Sequence, residues 1–303
     1  MNIKEMLKDI PDLSNEKAVA LETTVLTHGM PYPENVKCAL ACEEAIRKAG
    51  AKPYTIGILN GKIKVGLTEK EIEELGKCTT AIKVSRKDIG YCVANNLTGS
   101  TTVAATMILA KLAGIKVFAT GGIGGVHRGF EESMDVSADL NEFAKTDVNV
   151  ICAGPKAILD IPRTLEYLET QGVPIIGYKT NKMPLFYTRT SNYDLDISAS
   201  SALEVAKIIH SNNELGLKMG SLIVNPIPEE YSLDYDWMNS KIEEALDMMK
   251  KDHITGKRVT PYLLDKLVSL TESKSLKSNM ELIKNNAYVA GLIAKELYEL
   301  EHK

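Results

Sequence analysis

The sequence lacks the features that mark nucleic-acid-binding and membrane-spanning proteins. Its 36 Lys and Arg against 40 Asp and Glu give a formal charge of −4, so no strong positive field is present to attract nucleic acid or an anionic membrane. Its apolar stretches, of which 101–112 is an example, carry lysine or fall short of the roughly 18 residues that a membrane-spanning helix needs. Residues 1–8 show no apolar core of a signal peptide, and we therefore expect a cytoplasmic protein.

Cysteine and histidine are few, and their spacing does not suit a zinc site. The five cysteines form no C-x-x-C pair, and the five histidines form no H-x-x-H or H-x-x-x-H pair. Cys38 and Cys42 lie four residues apart on a predicted helix, so we expect them to share its buried face as small apolar side chains. A structural zinc site is therefore not expected.

Alternating apolar and amphipathic segments predict an α/β protein. With 303 residues, 44% of them hydrophobic, the chain can build one large α/β domain or two average ones. The spacing predicts strands at 18–21, 54–59, 62–65, 81–84, 116–119, 149–152, 174–176 and 221–224, with helices at 33–48, 68–76, 101–113 and 161–170 between them. Strands and helices in this order favour a three-layer α/β/α fold with a mostly parallel central sheet.

The last quarter of the sequence is predicted to be helical. After Asn225 and Pro226, amphipathic segments at 240–251, 261–270 and 275–300 predict three helices. No repeat, low-complexity tract or Pro/Ser linker separates them from the strands. We therefore expect a single catalytic domain over 1–303, with a helical C-terminal extension at about 226–303 that covers a sheet edge or a subunit contact.

Four loops carry more glycine and small polar residues than packing requires. They follow predicted strands, at 22–29, 96–102, 121–129 and 152–156, and ligands bind beyond the carboxyl ends of strands in open α/β sheets. The glycine-rich loop fails the dinucleotide pattern G-x-G-x-x-G, because His127 stands where the third glycine is needed. No P-loop pattern occurs either, so nucleotide phosphates are not expected in a loop of those two kinds.

Two of these loops, and the segment around Asp135 and Asp139, carry side chains suited to chemistry. Residues 99–102 are predicted to begin a helix, whose free N–H groups and hydroxyls suit a phosphate. Asp135 and Asp139 flank another predicted helix start, where one carboxylate caps the helix and the other is free to bind Mg²⁺ or Mn²⁺. Lys156 follows a Gly-Pro turn at a strand end, where a lysine inside a cleft can act as a nucleophile. Together these residues predict an enzyme for an anionic, phosphorylated small metabolite.

The same segments resemble a known family over about residues 20–290. The matching motifs are ALETTVLTHGMPYPENV, AIKVSRKDIG, TGSTTVAATMILAKLAGIKVFATGGIGGVHRG, DVSADLNE, AGPKAILD, TLEYLETQGVPIIGY, NPIPEE and SLKSN…NNA. Their combination resembles the pseudouridine-5′-phosphate glycosidase family, also called indigoidine synthase A-like. The sequence departs from the family pattern at Thr23, where serine is expected, and at Pro155, where a small or apolar residue is expected. It also has one residue fewer just before Lys83.

The resemblance implies an activity, a metal and an assembly. It implies reversible cleavage of the C–C glycosidic bond of pseudouridine 5′-phosphate to uracil and ribose 5-phosphate, with a divalent metal, usually Mn²⁺, in a homotrimer. By the same resemblance, Glu22 matches the proton donor, Lys156 the nucleophile and Asp135 the metal ligand. The positions that match substrate-binding residues are Lys83, Val103, Ser137, Ala138 and Asp139. His127 and Arg128 belong to the signature without an implied role.

The residue types suit the implied reaction. An ordinary glycosidase uses two carboxylates to expel an oxygen, whereas here the leaving atom is the carbon C5 of uracil. A neutral lysine amine that adds at C1′ can expel that carbon and leave an imine, while a protonated carboxyl assists. Two alternatives remain open at this point: a Schiff-base aldolase or lyase for another sugar phosphate, and a non-catalytic sugar-phosphate-binding protein.

Overall fold

The structure is a computed structural model that describes residues 7–302, so Met1–Met6, on which most of the signal-peptide expectation rests, lie outside the described residues. Ten strands are present in chain order: β1 Ala18–Leu21, β2 Lys52–Leu59, β3 Lys62–Val65, β4 Ile82–Val84, β5 Gly99–Thr101, β6 Val117–Ala119, β7 Asn149–Cys152, β8 Ile175–Tyr178, β9 Ile197–Ala199 and β10 Leu222–Val224.

The α-helices alternate with these strands. They are α1 Glu34–Lys48, α2 Glu69–Lys77, α3 Ile89–Ala94, α4 Val103–Leu112, α5 Phe130–Ser133, α6 Ala138–Phe143, α7 Ile161–Thr170, α8 Ala202–Glu214, α9 Tyr235–Lys251, α10 Val259–Leu270 and α11 Lys274–Glu301. A π-helix, Val25–Gly29, follows β1 closely. A capping box at Thr68 begins α2, with the Thr68 side chain accepting from Glu71 N and the Glu71 side chain accepting from Thr68 N.

The strands form one mixed sheet in which most neighbours are parallel. Its order is β4-β5-β2-β1-β6-β7-β10-β8-β9, with β3 paired to β2 outside this path. Strand β2 is antiparallel to β3 and to β5, while the other pairs are parallel. The predicted fold class, a three-layer arrangement around a mostly parallel sheet, is confirmed. The carboxyl ends of β1, β6, β7 and β10 consequently lie side by side.

The segment predicted to begin a helix at 99–102 instead forms strand β5. Ser100 and Thr101 are fully buried between β4 and β2, and the helix begins at Val103 with Thr102 as its cap. A Cβ on Gly99 would lie 2.4 Å from Val84 Cγ2, so only glycine permits this close strand pairing. The small polar residues of this segment therefore satisfy the sheet, and the helix-start interpretation was wrong for Ser100 and Thr101.

The long helix α11 covers the middle of the sheet, whereas the sequence analysis expected the C-terminal extension to cover a sheet edge or a subunit contact. It packs against α1, α8 and strands β1, β6 and β7, and its apolar face joins the main hydrophobic core. Cys38 and Cys42 are buried on the facing side of α1, as their spacing predicts. The C-terminal helices are thus integral to the core that supports the strand ends.

Within residues 7–302, no helix combines the length and the apolar character needed to cross a membrane.

Candidate active site

Strand ends bring the candidate residues together at one edge of the sheet. Glu22 directly follows β1, Lys83 lies on β4, Thr120 directly follows β6, and Lys156 lies in the loop after β7. Because β1, β6 and β7 are neighbouring parallel strands that end at the same edge, Glu22, Thr120 and Lys156 become neighbours there. Lys83, in the middle of β4, lines the same two cavities. The four loops that the sequence analysis singled out contribute to this edge.

Two adjoining cavities open at this edge and share one wall. An outer cavity of about 330 Å³ is lined by residues that include Val103, His127 and Asp135. An inner cavity of about 60 Å³ extends between the sheet, α1, α10 and α11. Five residues line both cavities: Glu22, Thr24, Lys83, Lys156 and Thr260. A carboxyl group and two amines thus stand where the two cavities meet.

Burial changes the acidity of Glu22. Desolvation raises its pKa above the usual value for a glutamate, while the nearby Lys156 charge and a hydrogen bond from the Thr120 hydroxyl act in the opposite direction. The net direction is upward, so Glu22 keeps its proton to a higher pH than an exposed glutamate does. This is the property that a general acid needs near neutral pH.

Burial acts on Lys83 with the opposite sign. Desolvation, together with the neighbouring charge of Lys156, lowers the pKa of Lys83 to about 8. Lys83 is therefore mostly protonated at pH 7 and loses its charge as the pH rises through about 8. Desolvation and the charge of Lys83 also lower the pKa of His28, which lines the inner cavity, so this imidazole is neutral at pH 7.

All the residues that the resemblance placed in the site line the outer cavity or its shared wall. Besides Glu22, Lys83 and Lys156, these are Val103, Asp135, Ser137, Ala138 and Asp139. Thr102 also lines the outer cavity at the start of α4, whereas the buried Ser100 and Thr101 do not. Lys87 and Lys257 add positive charge to the same cavity. The outer cavity is therefore suited to an anion such as a phosphate.

Asp139 holds two walls of the outer cavity together. Its Oδ1 accepts a hydrogen bond from Ala104 N at 2.9 Å, and its Oδ2 accepts one from Gly124 N at 2.9 Å. The cap of α6 is Ser137, whose Oγ accepts from Asp139 N, so the expectation that one of the two aspartates caps this helix was wrong. Asp139 instead ties the start of α4 to the glycine-rich loop.

The donor groups present fit a hydrated divalent cation. Asp135 lines the outer cavity, and within residues 7–302 its carboxylate has no hydrogen bond or ion pair to the protein. Its neighbour Asp139 uses both oxygens on backbone N–H groups, as described above. No group of three His, Cys, Asp or Glu side chains suited to a metal occurs in that part of the chain. One free carboxylate matches Mg²⁺ or Mn²⁺, which keep several waters and bind substrate phosphates.

The structure separates the roles of His127 and Arg128. His127 lines the outer cavity, and its backbone N donates to Asp135 O at 3.0 Å. Arg128 turns away to α9, where its guanidinium pairs with Glu243 and contacts Asn239. Arg128 therefore anchors the glycine-rich loop, while His127 is the member of the pair that faces the site.

The turn that carries Lys156 is fixed by close backbone packing. Gly154 has a φ of +90°, and a Cβ there would lie 2.4 Å from Pro184 O. Lys156 N donates to Ile123 O at 3.1 Å, and Pro155 pairs with Ile123 beside it. Pro155, which departs from the family pattern, thus occupies a position where its missing N–H and fixed φ stiffen the turn before the lysine.

Sequence reasoning missed two residues of the inner cavity. Thr120 donates its hydroxyl proton to Glu22 Oε1. Asn279 is only 6% exposed and lines the inner cavity, yet its Oδ1 has no hydrogen-bond partner among residues 7–302. A buried, unpartnered amide oxygen is costly unless a ligand or water donates to it. The signal in the sequence is a polar residue at a buried position of α11, a face that also carries Asn286.

Comparison with known proteins places these residues in a family. The family model described as Indigoidine synthase A like protein matches residues 12–296. A pseudouridine-5′-phosphate glycosidase of Caldanaerobacter subterraneus subsp. tengcongensis is 55% identical over 93% of this chain and 92% of its own length. A protein of the same name from Geobacillus kaustophilus is also 55% identical, over 92% of this chain and 93% of its own length.

Solved structures share the fold over nearly the whole chain. An indigoidine synthase A-like protein of Thermotoga maritima has a TM-score of 0.88 and 38% identity, covering 94% of each chain. The prealnumycin C-glycosynthase AlnA, solved in complex with ribulose 5-phosphate, has a TM-score of 0.87 and 35% identity, covering 98% of this chain and 96% of its own.

Replacing Asp139 by asparagine tests its role between the two walls. The amide NH₂ would face one of the two N–H donors and lose that hydrogen bond, which costs on the order of 1–3 kcal/mol of unfolding free energy. Urea unfolding of Asp139→Asn should show this loss. The exposed Asp194, which pairs with Lys182, gives a matched control in Asp194→Asn. Equal stability of the two variants would contradict the role of Asp139.

Proposed function

The chain belongs to the Indigoidine synthase A like protein family, and we propose that it is an enzyme that reversibly cleaves the C–C glycosidic bond of pseudouridine 5′-phosphate to give uracil and ribose 5-phosphate. The observation that carries this proposal is the shared wall, where the buried acid Glu22 and the amine of Lys156 stand together between two cavities. Curated relatives of nearly full length that carry the name of this activity support it.

The two cavities suit the two halves of the substrate. The outer cavity, with Lys83, Lys87 and Lys257, suits the ribose 5-phosphate half. The inner cavity is too small for a whole nucleotide, and we place only an edge of the uracil ring there. In that position a uracil N–H donates to the unpartnered Oδ1 of Asn279. The bond to be cleaved then lies at the junction, beside Glu22 and Lys156.

We propose that Lys156 supplies the nucleophile. As the C1′–O4′ bond breaks, Glu22 gives its proton to O4′, and the neutral amine of Lys156 forms a bond to C1′. Once the nitrogen has given one proton to Glu22, its lone pair forms a protonated imine with C1′ while the C1′–C5 bond breaks, and C5 of uracil takes a proton with that electron pair. Water hydrolyses the imine, which frees Lys156 and gives the aldehyde of ribose 5-phosphate.

The position of Glu22 supports its role as the acid. Its raised pKa keeps a proton available, and the hydroxyl of Thr120 orients one carboxyl oxygen. Glu22 gives its proton to O4′ and takes one back from the Lys156 amine after the C–N bond has formed. The same carboxyl then protonates C5, so one acid serves both halves of the reaction.

We propose that Asp135 holds the divalent cation, Mn²⁺ by resemblance, in the outer cavity. A bound cation there supplies positive charge that stabilises the substrate phosphate. The homotrimer and the cytoplasmic location stay predictions; sedimentation analysis measures the first directly.

A sugar-phosphate ligand is the common element of the alternatives. AlnA, a C-glycosynthase, was solved with ribulose 5-phosphate, which favours a sugar phosphate in this fold and a reaction that makes or breaks a C–C glycosidic bond. A Schiff-base aldolase would cleave a different sugar phosphate and release no uracil, and a binding protein would turn nothing over. Product analysis with pseudouridine 5′-phosphate distinguishes the three.

Borohydride trapping tests the nucleophile. Reduction during turnover should leave a ribose 5-phosphate adduct that peptide mass spectrometry maps to Lys156. Lys156→Ala should lose turnover and keep the fold, and Lys156→Arg should not restore it, because a guanidinium stays protonated and cannot attack. Lys207→Ala, on the exposed side of α8, is the control and should keep full activity. An adduct on another lysine would refute the assignment.

The low pKa of Lys83 predicts a pH-dependent affinity for phosphate. Between pH 7 and pH 9 the side chain loses its charge, since its pKa is about 8, so KM for pseudouridine 5′-phosphate should rise. KM for unphosphorylated pseudouridine should not follow. Lys83→Arg keeps its charge and should remove this pH dependence. Lys83→Ala should weaken binding of the phosphorylated substrate by about 1.5–3 kcal/mol. Equal losses for both substrates would show that Lys83 does not bind phosphate.

Chelation tests the cation. EDTA should abolish activity and Mn²⁺ should restore it, and Asp135→Asn should need a higher Mn²⁺ concentration for half-maximal activity. Binding of Mn²⁺ measured by electron paramagnetic resonance, without turnover, should weaken in the same variant. Asp236→Asn, in the first turn of α9, is the matched control. Unchanged Mn²⁺ binding by Asp135→Asn would exclude this residue as the ligand.

A further inference from the structure

Two asparagines are buried together beneath the active site. Asn286 on α11 is fully buried, and Asn225, directly after β10, is 5% exposed. Asn225 Nδ2 donates to Asn286 Oδ1 at 2.9 Å. An apolar pair of similar volume would pack here without having to satisfy four amide hydrogen-bonding groups, so the amides contribute something other than burial.

The pair joins α11 to three strand ends of the site. Asn286 Nδ2 donates to Thr120 O at 2.9 Å and lies 3.5 Å from Gly121 O, at the end of β6. Asn225 N donates to Cys152 O at 2.8 Å, at the end of β7. The pair therefore links the strand end that precedes Lys156 to the one that carries the partner of Glu22.

Helix geometry extends this link to the inner cavity. Asn279 lies seven residues before Asn286, which is two helical turns, so both face the sheet from the same side of α11. Between them, Ile283 packs so closely on Gly121 that a Cβ on that glycine would lie 2.8 Å from Ile283 Cγ1. A shift of α11 along the sheet would therefore displace Asn279 together with Asn286.

We propose that Asn286, held by Asn225, is a positioning residue that fixes the register of α11 against the end of β6. Through that register it places Thr120 against Glu22 and Asn279 in the inner cavity. Its role in turnover rests on the function proposed above, whereas its effect on Glu22 does not. A single buried asparagine that fixes the register of a helix is a known use of a buried polar group.

Loss of the Asn286 amide should change the acidity of Glu22 in one direction. The Thr120 hydroxyl stabilises the charged form of Glu22, as do the Lys156 and Lys83 charges, while Asp139 and burial oppose it. If Asn286 no longer fixes Thr120, Glu22 loses this hydrogen bond and its pKa rises further. Glu22 then stays protonated to a higher pH. The decrease of kcat/KM that the ionisation of Glu22 causes at alkaline pH therefore moves to higher pH.

The test uses Asn286→Leu, which removes the amide at similar volume, and Thr120→Val as the reference. Titration of the Glu22 carboxyl by ¹³C NMR in the substrate-free protein, assigned with Glu22→Gln, should show a higher midpoint in both variants. The Glu22 midpoint in the double variant Asn286→Leu/Thr120→Val should be no higher than in Thr120→Val alone, because both substitutions act through the hydrogen bond from Thr120 to Glu22. With pseudouridine 5′-phosphate, kcat should fall about ten- to a hundredfold in Asn286→Leu, with a smaller change in KM.

Two further variants keep the outcome decisive. Asn225→Ala keeps the Asn286 residue but removes the amide that donates to its Oδ1, so it should shift the Glu22 midpoint in the same direction. It replaces Asn286→Leu as the test if that variant does not fold. Thr271→Val removes buried hydrogen bonds to Leu267 and Ser275 near the start of α11 and should lower stability without shifting that midpoint. An unshifted midpoint in Asn286→Leu and Asn225→Ala would overturn the proposal. Failure of the wild type to release uracil would instead contradict only the proposed function.

Discussion

The candidate site is organised around one carboxyl group and two amines in the wall that the two cavities share. Glu22 and Lys156 follow the ends of β1 and β7, Lys83 lies within β4, and the three meet between the two cavities. Burial favours the uncharged form of each kind of group, which raises the pKa of Glu22 and lowers that of Lys83. Desolvation keeps the proton on Glu22 although two lysines oppose this effect, so the sheet and the C-terminal helices have to limit the access of water to Glu22.

The helices that follow β10 provide much of that exclusion. Helices α10 and α11 line the inner cavity through Leu264, Asn279 and Ile283, and α11 also packs on the strands that end at the site. The C-terminal region therefore carries polar contacts as well as apolar cover. In the proposed function, the charged loops bind the phosphorylated half of the substrate. The register of α11 positions Thr120 against the acid Glu22.

The spacing of apolar residues predicted most of the strands and helices. Local sequence patterns gave a wrong prediction where contacts between distant segments determine the structure. The helix over 161–170 and the strands at 18–21 and 149–152 match the structure, because apolar period and caps determine them locally. Strand β5 was missed because its small polar residues also suit a helix start, and only pairing with β2 and β4 selects the strand. The candidate residues of the site came from the loops and the family resemblance, whereas Thr120, Asn279 and Asn286 gain meaning only through contacts distant in sequence.

In the proposed reaction, Glu22 and Lys156 break a carbon–carbon bond, and C5 of the leaving uracil receives a proton. Turnover of pseudouridine 5′-phosphate in D₂O, with the released base analysed by mass spectrometry, measures both events at once. We expect uracil that carries one deuterium at C5, formed in equal amount to ribose 5-phosphate. The Glu22→Gln variant should form no such uracil. Absence of uracil with the wild type, or uracil without solvent-derived hydrogen at C5, would contradict the proposed reaction.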